Sequence, residues 1–154
     1  MLRYLLDTNI LIFVIKNKPL SALQVFNEHA GHMAISAFTL AELLHGAEKS
    51  NASARSLGVV EDFCSLLEVL PYGPKAAQHY GSIRSALERQ GQPIGVNDLH
   101  IAAHARSEGL TLISIFASLT AWRGCNWPIG RFECCCLAGR CMRGEYGRIG
   151  SVVA

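Results

Sequence analysis

Up to Ser114, short apolar segments alternate with longer amphipathic segments along this chain. The short segments are rich in Leu, Ile and Val and stop at polar or turn-forming residues, which is typical of buried strands. Strands are predicted over 4–6, 33–36, 68–70 and 110–114. Strands that alternate with helices form parallel sheets whose two faces are both covered. The sequence therefore predicts an α/β fold in which helices flank a small parallel sheet.

The amphipathic segments have apolar residues at helical spacing. Helices are predicted over 10–15, 20–29, 39–49, 53–67, 75–90 and 97–108. Thr8 and Asn9 are expected to cap the first helix, and Glu42 is expected in the first turn of the third. Gly91 and Gly109 follow the last two helices, where glycine commonly ends a helix.

The composition is that of one globular domain rather than a disordered or membrane chain. The 154 residues are 50% apolar and 17% charged. The net charge of +2 is too small to indicate nucleic-acid binding by itself. No apolar run is long enough to cross a bilayer, and no signal peptide is recognisable. The sequence therefore predicts a cytoplasmic location and no membrane partner.

The composition changes where the periodic pattern ends. Residues 1–115 contain nine Lys or Arg and ten Asp or Glu, whereas residues 116–154 contain five Arg and two Glu. Cys64 is the one cysteine before this boundary. The others are Cys125, Cys134, Cys135, Cys136 and Cys141. Two units are therefore predicted: a domain over 1–114, and an aberrant Cys-, Arg- and Gly-rich tail over 115–154 that is expected to be poorly ordered.

Three carboxylates lie in or beside apolar segments. Asp7 ends the first strand, Glu42 lies inside an apolar helix, and Asp98 opens the last helix. A buried, unpaired carboxylate is costly or takes up a proton, and divalent cations often hold together acids from distant parts of a chain. At the carboxyl ends of parallel strands such acids can meet. The pattern indicates Mg²⁺ or Mn²⁺ and phosphate chemistry.

Four segments resemble one known family. They are 6–9 (Leu-Asp-Thr-Asn), 41–46 (Ala-Glu-Leu-Leu-His-Gly), 94–98 (Ile-Gly-Val-Asn-Asp) and 101–105 (Ile-Ala-Ala-His-Ala). In their order and spacing they resemble the PIN domain, and more narrowly the VapC toxins of type II toxin–antitoxin systems. The resemblance implies a PIN-like sheet, and it is specific because three acidic motifs occur in order.

The resemblance also implies roles for particular residues. Asp7 and Asp98 are expected to bind Mg²⁺, with Mn²⁺ as an alternative, and Glu42 is expected to complete the catalytic, metal-binding cluster. Thr8 and Asn9 are expected to hold Asp7 or to contact a substrate phosphate. The same role beside Asp98 falls to the residue before it, Asn97.

The function implied by the resemblance is that of a metal-dependent endoribonuclease, the toxin of a toxin–antitoxin pair. Such a toxin cleaves RNA, often tRNA, and thereby inhibits translation. A VapB-like antitoxin, an RNA substrate and a second copy of the chain in a homodimer are the implied partners. A PIN nuclease that acts outside toxin systems, in RNA processing or repair, is a further interpretation.

The resemblance breaks off after Ser114. In the family, the fourth strand leads to an Asn or Asp, an Arg-Glu-Phe-like helix and a closing strand that ends in Asn-Trp. This chain has no acid between Glu108 and Glu133. Suitable codons for residues 115–130, read in another phase, encode Leu-Arg-Glu-Phe-Asp and later Asn-Trp. We therefore hypothesise a frameshift just after Ser114. The alternative function is that of a catalytically inactive remnant that still binds antitoxin or RNA.

Plain structural interpretations stand beside the functional ones. Asp7 could be a plain strand-end or N-cap acid, Glu42 could interact with a helix dipole, and Asp98 could be an N-cap. His100 and His104 are four residues apart and suit a zinc pair, but no third ligand is evident. A packed or surface histidine pair is therefore the favoured interpretation of these two residues.

Overall fold

A computed structural model of the chain describes residues 1–17, 20–114 and 132–134. The elements are β1 (Tyr4–Leu6), α1 (Thr8–Asn17), α2 (Leu20–Glu28), β2 (Met33–Ser36), α3 (Ala37–Glu48), α4 (Ser53–Cys64), β3 (Glu68–Leu70), α5 (Pro74–Arg89), α6 (Val96–Glu108), β4 (Thr111–Ser114) and β5 (Phe132–Cys134). None of the helices in these ranges has the length and apolar character that a bilayer crossing requires.

All pairings within the sheet are parallel, and the strand order is β3-β2-β1-β4-β5. Strand β1 lies at the centre, where Leu5 is in register with Ala34 of β2 on one side and with Leu112 of β4 on the other. Helices lie in each of the connections from β1 to β2, from β2 to β3 and from β3 to β4. The α/β fold class with a small parallel sheet flanked by helices is thereby confirmed.

Alternate residues of the central strands are buried in two separate cores. Leu5 and Leu112 pack on one face, together with apolar residues of α5 and α6. Leu6 and Ile113 pack on the other face, together with residues of α1, α3 and α4. Because successive side chains of a strand point to opposite faces, a strand covered on both sides must be apolar at every position. This explains why the strand segments read as continuous apolar runs.

The chain reverses direction across the sheet between β1 and β4. From β1 it moves outward through β2 to β3, and it then returns to the other side of β1 to form β4. Ligand sites of parallel sheets lie outside the carboxyl ends of the strands at such a switch point. The residues that follow β1 and end β4, Asp7 and Ser114, therefore lie at the position where a site is expected.

Several element boundaries differ from those predicted. Helix α1 begins at Thr8, so Thr8 and Asn9 lie inside it rather than capping it. Helix α3 begins at Ala37, directly after β2, which places Glu42 in its second turn and not its first. Helix α4 ends at Cys64, several residues earlier than predicted. In each case the helix boundary is set by neighbouring strands and caps, which the apolar spacing does not report.

A fifth strand was not predicted. Phe132–Cys134 pairs in parallel with β4, with Leu112 in register with Phe132. The sequence has no periodic apolar pattern there that would have indicated a strand. Apart from this strand, the predicted tail lies outside the described residues. The division into a domain over 1–114 and a tail over 115–154 stays a prediction.

The end of α6 requires a glycine. Gly109 has φ +66°, the left-handed conformation, and its N–H donates to the Arg106 carbonyl oxygen over 3.2 Å. The Leu110 N–H donates to the Ala105 carbonyl oxygen over 2.9 Å, which completes the glycine-ended C-cap of the helix. Only the backbone conformation calls for glycine, because no atom lies within 4 Å of where a Cβ would be.

We expect Gly109→Ala to lower the free energy of unfolding by about 1 kcal/mol, because an L-residue is strained at this φ. Chemical denaturation followed by circular dichroism measures the change. Gly81→Ala is the matched control, since Gly81 is inside α5 with open space around it. Glycine weakens a helix interior, so this control should gain stability. Equal effects of both substitutions would contradict the prediction.

Candidate active site

Asp7 is a buried carboxylate at the end of the central strand. Asp7 is 1% exposed. The Asp7 backbone N–H extends the pairing of β1 with β4 by donating to the Ile113 carbonyl oxygen over 3.0 Å. Oδ1 accepts from the Thr8 N–H at 2.7 Å. Oδ2 accepts from Ser114 Oγ at 2.7 Å and from Asn9 Nδ2 at 3.3 Å. Every one of these donors is neutral, so the carboxylate is oriented without being neutralised.

The pKa of Asp7 is raised above its ordinary value. Burial is the main cause, because it disfavours the charged form, and the negative charge of Glu42 adds to it. The hydrogen bonds from Ser114, Asn9 and Thr8 act in the opposite direction. The net increase shows that hydrogen bonding only partly offsets the cost of burial.

Glu42 is held by donors from two other elements. Its Oε2 accepts a hydrogen bond from Thr8 Oγ1, at the start of α1. Its Oε1 accepts from Asn97 Nδ2 at 2.7 Å, in the first turn of α6. The carboxylate of α3 therefore joins the starts of α1 and α6, and it brings the three predicted acidic segments to one place.

Asp98 lies in the first turn of α6 and is half-buried. Its pKa is raised to about 6, chiefly by burial and then by the negative charges of Asp7 and Glu42. The charges act on one another because the three carboxylates are close in space, although they are far apart in the sequence. The structure thus brings together the three predicted acids.

The acidic cluster, Asp7, Glu42 and Asp98, has no basic partner within residues 1–17 and 20–114. The ion pair found in that part of the chain joins Arg84 to Glu88, on the exposed side of α5. Three uncompensated carboxylates repel one another, and a cation would relieve the repulsion. The cluster consists of hard oxygen donors, which are the ligands that Mg²⁺ and Mn²⁺ prefer.

In the described part of the chain, no three His, Cys, Asp or Glu side chains are arranged so that all could ligate one ion directly. This arrangement still fits a magnesium-type ion, because such an ion keeps several waters and needs only one or two protein carboxylates. Asp7 and Asp98 would hold the ion, with Glu42 reaching it directly or through water. When bound, the ion would supply a deprotonated water and neutralise charge on a phosphate.

The residues predicted to support the acids are found beside them, with one change of partner. Thr8 contacts both Asp7 and Glu42, and Asn9 contacts Asp7. Asn97, predicted to act beside Asp98, donates to Glu42 instead. The reason is geometric: neighbouring residues on a helix point in directions about 100° apart, so adjacent side chains reach different partners.

The structural interpretation of Asp98 as an N-cap is wrong, because Gly95 occupies the N-cap position of α6. Of the packed and surface alternatives predicted for His100 and His104, the structure shows the packed one. The His100 ring is stacked between Phe38 and Tyr80, with ring centroids 4.2 Å and 4.1 Å away. His104 is fully buried, and its Nδ1 lies 2.9 Å from the hydroxyl oxygen of Ser36, the N-cap of α3.

Ser114 is a site residue that sequence reasoning did not assign. Its hydroxyl donates to Asp7 from the end of the neighbouring strand. The predicted parallel sheet could have indicated this role for Ser114. Strands β1 and β4 end side by side, so the polar residue that follows β1 and the polar residue that ends β4 lie next to each other.

Comparison with known proteins agrees with this geometry. The family model of the PIN domain matches residues 4–116, which contain all three acids. The chain belongs to the PIN-domain family. Within it, the chain is 53% identical over 131 residues to ribonuclease VapC2 of Haemophilus influenzae, a match that covers 82% of this chain and 99% of that protein. Within the PIN-domain family, the chain therefore belongs to the VapC ribonucleases.

Two further relatives are similar. The tRNA(fMet)-specific endonuclease VapC of Shigella flexneri is 53% identical over 114 residues, covering 74% of this chain and 86% of that protein. A crystal structure of DNA-bound VapBC from Salmonella typhimurium superposes with a TM-score of 0.80 and 46% identity, covering 87% of this chain and 98% of that chain. The PIN fold predicted from the acidic motifs is confirmed.

The raised pKa of Asp98 predicts that Asp98→Asn stabilises the metal-free PIN domain. The carboxylate titrates near 3.8 when unfolded and near 6 when folded, so its charge opposes folding at neutral pH. At pH 7 the variant should gain on the order of 1 kcal/mol, after allowance for solvent screening of a half-buried group.

The same gain should shrink as the pH falls below 6, be mostly lost near pH 4 and vanish below about pH 3, where both states are protonated. Urea denaturation of both proteins in EDTA at pH 7 and pH 4 measures it. Asp62→Asn on α4 is the control, because Asp62 is an exposed carboxylate on a helix outside the acidic cluster. If Asp98→Asn lowered the stability at pH 7, the conclusion that burial and the charges of Asp7 and Glu42 disfavour the charged form of Asp98 would be contradicted.

Proposed function

We propose that the chain is a divalent-metal-dependent endoribonuclease that cleaves tRNA at the acidic cluster. The observation that carries the proposal is that three carboxylates lie together at the switch point of the sheet. They are held by neutral hydrogen-bond donors and have no basic partner within residues 1–17 and 20–114. The name of the Shigella relative, a tRNA(fMet)-specific endonuclease, supports tRNA as the substrate class.

In this proposal each supporting residue holds an acid in its working orientation. Ser114 and Asn9 fix Oδ2 of Asp7, while the Thr8 N–H fixes Oδ1. Thr8 and Asn97 occupy both oxygens of Glu42, which keeps this carboxylate between α1 and α6. Fixed ligands lose little freedom when the metal and the phosphate bind, and such preorganisation favours catalysis.

The proposed partners follow from the relatives. The similar solved structures include VapBC complexes from Salmonella typhimurium and Rickettsia felis, both with DNA. We include in the proposal a VapB-like antitoxin that covers the acidic site, a homodimer, and action in the cytoplasm, where tRNA is found. Mg²⁺ is the proposed ion and Mn²⁺ its alternative, since both prefer the oxygen donors of the cluster.

We expect this 154-residue chain to cleave total tRNA with Mg²⁺ or Mn²⁺ and not with EDTA. Asp7→Asn should lower the cleavage rate more than about 100-fold, because it removes the charge of the most buried acid. Arg84→Gln is the matched control, since this exposed residue pairs with Glu88 away from the cluster. Gel analysis of the cleavage products measures each rate.

The same experiment separates the two candidate functions. Cleavage that requires both metal and Asp7 would support the nuclease. A chain shown to be folded that cuts nothing would support the inactive remnant. The remnant is favoured by one specific observation: the match to the PIN-domain family model ends at residue 116, shortly after the predicted break. The match to ribonuclease VapC2 covers 82% of the chain and therefore extends beyond that residue.

The proposal for residues 115–154 is that they are an out-of-frame translation. The end of the family match at residue 116 supports it, as does the change of composition there. We expect resequencing of the gene after the Ser114 codon to reveal a shifted phase that encodes an Arg-Glu-Phe-like helix and a closing Asn-Trp. A gene with no such alternative phase would contradict the proposal.

A further inference from the structure

Gly95 occupies the N-cap position of α6, three residues before Asp98. Its φ of −55° and ψ of 142° are open to any L-residue. Ser, Thr, Asp or Asn would stabilise a helix at this position by accepting a hydrogen bond from its first turn, whereas Gly95 makes no side-chain cap. Neither the backbone conformation nor capping explains why a glycine is present.

The space beside Gly95 does explain it. A Cβ on residue 95 would lie 2.9 Å from Oδ2 of Asp98 and 3.6 Å from its Cγ. Carbon and oxygen atoms without a bond between them do not approach to 2.9 Å in this way. The spacing is that of a capping box, in which the side chain of the third helical residue folds back over the N-cap. The Asp98 carboxylate therefore occupies the volume that a side chain at residue 95 would need.

The clash would be relieved locally. The atom nearest to the added Cβ is at the tip of a side chain, so the carboxylate of Asp98 would turn away while the backbone stayed in place. Turning this carboxylate changes its position relative to Asp7 and Glu42, whose charges act on it. A substitution at residue 95 should thus alter the acidic cluster with little effect on the fold.

We infer that Gly95 is a positioning residue for metal binding: its missing side chain lets the Asp98 carboxylate fold back over the start of α6, toward the other two acids. The inference rests on the proposed function, and it goes beyond that function by giving a role at the cluster to a residue that has no ligand atom of its own.

The test is Gly95→Ser in the full 154-residue chain, titrated with Mn²⁺ by calorimetry. Mn²⁺ affinity should fall about tenfold, the size of effect seen when groups that orient ligands are changed. The melting temperature of the metal-free chain should stay the same or rise, because serine is a better N-cap than glycine. A purely structural role for Gly95 would instead lower the melting temperature.

Two further variants complete the experiment. Gly95→Ala should show the same loss of Mn²⁺ affinity, because alanine adds the same Cβ without a hydroxyl. Gly81→Ala is the matched control: no atom lies within 4 Å of its Cβ position, so its Mn²⁺ affinity should be unchanged. Mn²⁺ affinity unchanged in both Gly95 variants would overturn the inference.

Asp98→Asn in the same titration distinguishes this failure from that of the proposed function. If Asp98→Asn weakens Mn²⁺ binding and the Gly95 variants do not, only the role of Gly95 is wrong. If the unaltered chain binds no Mn²⁺, or if Asp98→Asn leaves binding unchanged, the metal site at the cluster and the role of Gly95 are both overturned. tRNA cleavage is measured separately and does not enter this comparison.

Discussion

The burial of the Asp7 carboxylate at the end of the central strand is the constraint on which the rest of the site depends. A charged group in this position is costly unless hydrogen bonds or an opposite charge compensate it. Ser114, Asn9 and the Thr8 N–H supply hydrogen bonds, and no basic side chain among residues 1–17 and 20–114 pairs with the carboxylate. These donors come from β4 and from the start of α1, so the orientation of the carboxylate requires that both elements be in place.

Helices α3 and α6 are joined by a row of contacts that leads away from the acids. Asn97 donates to Glu42, the ring of Phe38 stacks on His100 with centroids 4.2 Å apart, and the ring of His104 meets the Ser36 hydroxyl. None of these contacts neutralises a carboxylate. They fix the position of Glu42 relative to Asp98 through packing and neutral hydrogen bonds, and the negative charge stays available to a cation.

This arrangement separates the groups that orient the acids from those that would bind a metal ion. A lysine or arginine at the position of Asn97 or Ser114 would also hold a carboxylate, but it would compete with the cation for the same charge. Neutral donors avoid that competition, at the cost of raised carboxyl pKa values at Asp7 and Asp98. The uncompensated negative charge that suits the cluster for metal binding and phosphate chemistry therefore also lowers the stability of the metal-free fold.

The sequence by itself determined the fold class and the first and last residues of strands β1, β2 and β3. It also singled out Asp7, Glu42 and Asp98, the three acids that the structure brings together. It could do so because two-sided burial makes strands continuously apolar, and because an acid next to such a run is conspicuous. Only the tertiary structure decided that Asn97 serves Glu42, that Ser114 serves Asp7 and that Gly95 makes room for Asp98. Each of these pairings depends on how side chains are oriented once the helices and strands have packed together. The spacing of residues along the chain indicates which face of an element a residue occupies, but not which atom its side chain contacts.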